Sequence, residues 1–208
     1  MTDQDDRGVA IPADDDAEGR EAEAALYGRL DALGIAWTHH YHPPMRTVAD
    51  SRALRGEMPG LHLKNMFLKE KKGGFWLVSC LEDRQFRIRD LERAVGAKGT
   101  SFGKPDLLWE TLGVRPGAVT PFAVMNAAPG AIRLVLDAAL VDAPVINAHP
   151  MHNRATTAFA WEGLYRFLDA LDHLPQIVDF APIEAASAAA AEAAGHGSGR
   201  TAPAGAGR

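Results

Sequence analysis

Within residues 61–76, LHLKNMFLKEKKGGFW, a lysine and an amide, Lys64 and Asn65, interrupt an otherwise apolar, strand-like run that ends at a Lys-Lys-Gly-Gly turn. Charge on an edge strand protects it from pairing with other chains. The same two side chains would also suit a phosphate or a ribose, because an ammonium is a fixed cation and a carboxamide both donates and accepts hydrogen bonds. A second candidate is GAVTP, residues 117–121, where Gly117 frees the backbone and Pro121 stiffens the exit, so that the loop could offer N–H groups to a ligand or be a plain turn. The third is NAHPMHNRATTAFA, which gathers His149, Asn153, Thr156 and Thr157 just after an apolar strand, a place where sites often lie.

Other chemistries find less support. His40 and His42 share a strand face at a spacing that can ligate zinc, but no cysteine or HExxH-type partner accompanies them, so no metal is expected. Cys80 is the one cysteine, and its place in FWLVSC suggests a small buried hydrophobe and not a nucleophile. The chain carries no Gly-x-Ser-x-Gly, no Walker loop and no Rossmann glycine fingerprint.

The elements that must hold these residues can be read from pattern. EAEAALYGRLDALG sets Ala25, Leu26, Leu30 and Leu33 at helical spacing and stops at Gly34. IAWTHHYHP alternates Ile35, Trp37, His39 and Tyr41 against Thr38, His40 and His42, as a strand does. NMFLKE and FWLVSC form a hairpin; LERAVG, behind Asp90, and KPDLLWETLG read as short helices. VTPFAVMN, AIRLVLDAAL and APVINAHP read as strands, and WEGLYRFLDAL as a closing amphipathic helix. This order predicts an α/β (α+β) domain with a mixed, largely antiparallel sheet and helices around it.

A chain of 208 residues with 47% hydrophobic content can bury one proper core. The acidic first 20 residues are expected to be a disordered extension, residues 21–180 the folded unit, and the Ala/Gly-rich residues 181–208 a disordered tail with nothing to pack it. No apolar run is long enough to span a bilayer and the N-terminus does not resemble a signal peptide, so no membrane association and a cytoplasmic location are expected, with monomer as the plain state. The net charge of −5 arises in residues 1–20; residues 46–104 hold thirteen Lys or Arg against seven Asp or Glu. A basic face toward an anionic partner is thus compatible with an acidic chain.

Taken in order, LHLKNMFLKEKKGGFWLV, TSFGKPDLLWETLGV, GVRPGAVTPFAVMN and INAHPMHNRATTAF resemble the YbaK/ProX family of aminoacyl-tRNA editing domains, within it the free-standing prolyl-tRNA editing branch. The resemblance covers nearly the whole expected folded unit and implies a curved, mostly antiparallel sheet surrounded by helices. It implies hydrolysis of the ester joining a wrong amino acid, alanine first and cysteine as the alternative, to the terminal adenosine of tRNA(Pro); a non-catalytic tRNA-binding module is the reading from another class. Carried over by position, Lys64, Asn65 and His149 are the expected catalytic residues. Thr47, Gly117, Ala118, Val119, Thr120, Pro121 and Asn153 are the expected substrate-binding set, with no cofactor. The implied partners are the acceptor stem and CCA end of tRNA(Pro), with prolyl-tRNA synthetase or an elongation factor as further candidates. An ordinary lysine, with a pKa of about 10.4, is almost wholly charged at neutral pH. The role expected of Lys64 is therefore to hold phosphate or ribose and steady a developing oxyanion, with water as the attacking group.

Overall fold

The computed structural model describes residues 16–42 and 58–196. Thr47, one of the expected binding residues, lies outside them. The chain opens with helix α1 (Asp16–Ala32), whose Leu26 and Leu30 are fully buried. Gly34 turns it off with φ +64, while the Ile35 N–H donates to the Leu30 carbonyl at 2.9 Å, satisfying one of the carbonyls that a helix end leaves free.

Eight strands form one mixed sheet: β1 (Trp37–Tyr41), β2 (Leu61–Glu70), β3 (Phe75–Leu81), β4 (Thr100–Phe102), β5 (Ile132–Asp137), β6 (Ile146–Ala148), β7 (Ala155–Phe159) and β8 (Gln176–Val178). Their spatial order is β1-β7-β6-β2-β3-β5-β8, with β4 also on β2. The β1–β7, β7–β6, β2–β3 and β2–β4 pairs are antiparallel; β6–β2, β3–β5 and β5–β8 are parallel. Helices α2 (Ile88–Val95), α3 (Pro105–Leu112), α4 (Trp161–Ala170) and α5 (Ala181–His196) flank it.

Because strand side chains alternate faces, β2 and β3 feed two cores. Phe67 and Leu77 join Leu26, Leu30, Phe122, Phe159 and Phe167 on one side. Met66, Leu68, Trp76, Val78 and Cys80 join Leu91, Val135, Phe180 and Ile183 on the other.

Four expectations are corrected. VTPFAVMN forms a 3-10 turn over Pro121–Asn126, its proline stiffening the entry, where a strand was expected. The polar loop expected after β6 soon returns to the sheet as β7, with Thr157 buried opposite His39. Residues 181–196 of the expected tail form α5, with Ile183 and Ser187 buried against the second core and α2. An alanine-rich segment has little apolar surface of its own, so its packing depends on partners distant in sequence. Helix α1 also begins inside the expected acidic extension, where Glu18 pairs with Arg115 at 2.7 Å.

Candidate functional site

At β2 the sheet changes partners. One edge of this strand pairs with β3 from Leu63 to Lys69. The other edge pairs with β6 at Leu61 and His62 and with β4 from Leu68 to Glu70, so residues 63–67 lie in an interval between two partners. On that edge the Phe67 carbonyl accepts from the Gly103 N–H at 2.9 Å. On the opposite edge the His62 carbonyl accepts from the Glu82 N–H at 3.0 Å. Main-chain polar groups switch edges residue by residue along an antiparallel strand. The N–H and C=O of Asn65 therefore share the Phe67 edge and face the interval. Strand β6, parallel to β2, ends at Ala148, so His149 leaves the sheet toward the same interval.

The side chains of Lys64 and Asn65 take opposite faces. Lys64 is half-buried on the face of Met66 and Cys80. Its Nζ donates to the Arg84 carbonyl and lies 5.2 Å from the centre of the Phe86 ring, a cation–π distance. Among the described residues one of its three N–H bonds is committed, leaving two donors.

Asn65 points the other way, opposite Ser79 in the β2–β3 register. Its Oδ1 and the Ser79 Oγ are buried without a hydrogen-bond partner among the described residues, as are the Thr120 Oγ1 and the Asn153 Oδ1. Buried polar atoms are rarely left so, because each unmade bond costs about 1–3 kcal/mol. Asn65, Thr120 and Asn153 are residues that the sequence singles out, although such atoms also occur away from the site, as at Thr100.

The two expected loops meet. Gly117 has φ +89, and a Cβ there would stand 3.5 Å from the Asn153 Nδ2. Ala118 and Asn153 line a small cavity of about 70 Å³ with Met151 and His152. Thr120 is fully buried and Pro121 opens the 3-10 turn, which packs on β3; Val119 is half-buried against the first core.

His149 donates from Nδ1 to the Ala155 carbonyl at 3.2 Å when neutral. Burial, and then the neighbouring His42 and His152, hold its pKa below the ordinary histidine value, and the bond to Ala155 opposes them. The neutral ring has a bare Nε2, an acceptor. Thr156 and Thr157 are supports: Thr156 Oγ1 is 3.1 Å from the His42 Nε2, and Thr157 Oγ1 is 2.9 Å from the Tyr27 hydroxyl. Among the described residues no group of three His, Cys, Asp or Glu side chains is placed to hold a metal, and no helix is long and apolar enough to cross a membrane.

Cys80, opposite Lys64 in the register, is fully buried, and that burial pushes its thiol up to about 12. Native protein at pH 8 is therefore expected to resist iodoacetamide and to label only when unfolded; rapid native labelling followed by mass spectrometry would contradict this.

Ser79 has no motif around it in the sequence; the register of the hairpin, which sets it opposite Asn65, is the signal that finds it. Arg84 and Phe86, which hold Lys64, gave no sequence signal.

A family model described as an aminoacyl-tRNA editing domain matches residues 42–167. A Bos taurus protein named prolyl-tRNA synthetase associated domain-containing protein 1 is 36% identical, over 78% of this chain and 97% of its own length. Prolyl-tRNA editing protein ProX of Acetoanaerobium sticklandii is 30% identical, over 72% of this chain and 92% of its own. A crystal structure named "putative trans-editing enzyme for prolyl tRNA synthetase" superposes with a TM-score of 0.59 at 20% identity, covering 82% of this chain and 98% of that one, which is a likeness of fold.

Proposed function

The chain belongs to the aminoacyl-tRNA editing domain family, and we propose that it is a trans-acting deacylase that hydrolyses alanine from mischarged tRNA(Pro). The observation that carries this reading is the interval in the sheet at Asn65. A group entering there would meet the Asn65 main chain in the plane of the sheet, the Lys64 ammonium on one face and the Asn65 carboxamide on the other. Between the β6 and β4 pairings this edge of β2 has no strand partner among the described residues, so a group seated there would lie between the face of Lys64 and the face of Asn65.

In the proposed step, water adds to the ester carbon and the carbonyl oxygen becomes an oxyanion. The Asn65 N–H and the Lys64 ammonium stabilise it, since both are fixed before charge develops. The carbon–oxygen bond to the ribose then breaks, and the ribose oxygen leaves as a hydroxyl with the proton from water. Positioning by Asn65, by the loop at Gly117 and Thr120 and by Asn153 supplies most of the rest, because an ester is already activated. His149, kept neutral, accepts a hydrogen bond from substrate or water.

Selectivity would follow from size. A synthetase site built for proline discriminates weakly against a smaller side chain, each methylene being worth about 1–3 kcal/mol. A second pocket that admits alanine and excludes proline removes the error. The basic surplus in residues 46–104 would meet the acceptor stem in the cytoplasm, with the protein acting as a monomer, and its RNA affinity should weaken as salt rises.

The test is hydrolysis of tRNA(Pro) charged with alanine, cysteine or proline. Alanine is expected to be lost at least tenfold faster than proline. Preference for the cysteinyl ester would move the substrate to cysteine, and loss of none of the three would leave a tRNA-binding module.

A further inference from the structure

Both contacts that fix Lys64 lie in one short segment, residues 82–87, between β3 and α2. The Arg84 carbonyl accepts from Nζ, and the Phe86 ring lies under it. That segment is gripped from outside by α5, which lies beyond the residues matched by the family model. The Glu184 carboxylate accepts from the Arg84 Nη1 at 2.8 Å and from the Gln85 N–H at 2.6 Å. Ser187 accepts from the Arg87 N–H at 3.0 Å and donates to the buried Asp90 at 2.7 Å. Phe180, directly before α5, holds Phe86 at 5.1 Å between ring centres. Four consecutive residues, 84–87, are thus each tied to the C-terminal helix or the residue before it, and two of them hold Lys64.

From this we infer that α5 is a positioning element for the reaction: through Glu184 and Ser187 it sets the segment that aims the Lys64 ammonium. The inference rests on the proposed role of Lys64. Positioning has a large lever, because displacement of a reacting group by about 1 Å can cost up to a hundredfold in rate. Without Glu184, the Arg84 side chain keeps Asp137, through Nε at 2.8 Å and Nη2 at 3.2 Å, so the fold retains its buried ion pair. What is lost is the tie from α5 to the Gln85 backbone and to the outer face of Arg84. Glu184→Ala and the milder Glu184→Gln therefore separate aim from folding.

The experiment measures single-turnover deacylation of alanyl-tRNA(Pro) by Glu184→Ala, Glu184→Gln and Ser187→Ala, alone and combined with Lys64→Met, well below the melting temperature. Glu184→Ala is expected to lower the rate constant roughly tenfold with little change in the apparent Kd for the charged tRNA, Glu184→Gln less, and neither should slow Lys64→Met further. Equal losses with and without Lys64, or no loss relative to an active wild type, would overturn the inference. In parallel, the Lys64 ammonium NMR signal, assigned by its absence in Lys64→Met, should shift or broaden in Glu184→Ala. An unmoved signal would refute the positioning role even if no tested tRNA is a substrate. A moved signal with an inert wild type would refute the substrate reading and leave the positioning role standing.

Discussion

Lys64→Met is expected to lower the rate of alanyl-tRNA(Pro) hydrolysis by roughly a hundred- to a thousandfold, the range seen when one preorganised donor to an oxyanion is removed. Methionine matches the length of the lysine stem and keeps its packing on the face of Met66 and Cys80, so the fold should survive. What disappears is a charge held by the Arg84 carbonyl and the Phe86 ring, with two donors to spare. The proposed role of that charge is toward an oxyanion absent from the ground state, so the loss should fall on kcat, with KM changing less. Lys64→Arg keeps the charge, but its planar fork cannot reproduce a compact ammonium beside the ring, so rescue should be partial. Single-turnover kinetics decide the matter, and a Lys64→Met rate within threefold of wild type would remove Lys64 from the reaction.

The residue types around this site were legible in the sequence, but the way they are shared between the faces of the sheet was not. Lys64 and Asn65 stand out because polar residues in an apolar strand need a reason, and alternation already sends them to opposite faces. The interval that Asn65 faces depends on β6 and β4 stopping where they do on the same edge of β2, which is a tertiary fact. The meeting of Gly117 with Asn153 is likewise a long-range contact between two separately visible loops. Helix propensity was visible in the alanines of α5, whereas its hold on residues 84–87 and on the second core comes from Glu184, Ser187 and Ile183, three side chains without a periodic signature. Local signals reported element type, and they failed where partner choice decided the outcome.

Asp137→Ala is expected to be the most destabilising single change in this network, by about 3–5 kcal/mol, the cost of stripping one partner from a buried charge pair. The Asp137 side chain is fully buried at the end of β5 and receives four donors: the Arg84 Nε at 2.8 Å and Nη2 at 3.2 Å, the Leu81 N–H at 3.2 Å and the Ala139 N–H at 3.0 Å. Alanine leaves two main-chain donors and most of a guanidinium unmatched in a place with little water. For a domain of this size the melting temperature should fall by about 6–20 °C. Asp137→Asn, which keeps acceptor atoms but loses the charge, should cost less. By contrast Glu18→Ala, which breaks the half-exposed pair with Arg115, should cost under about 1 kcal/mol. Urea unfolding of the three variants tests the ranking, and a loss below 1 kcal/mol for Asp137→Ala would mean that the ion pair does not anchor Arg84. The comparison with Glu184 is the informative one. Asp137 and Glu184 hold the same guanidinium, one from within the sheet and one from α5, so removing the first should cost stability and activity together. Removing the second should cost activity far more than stability.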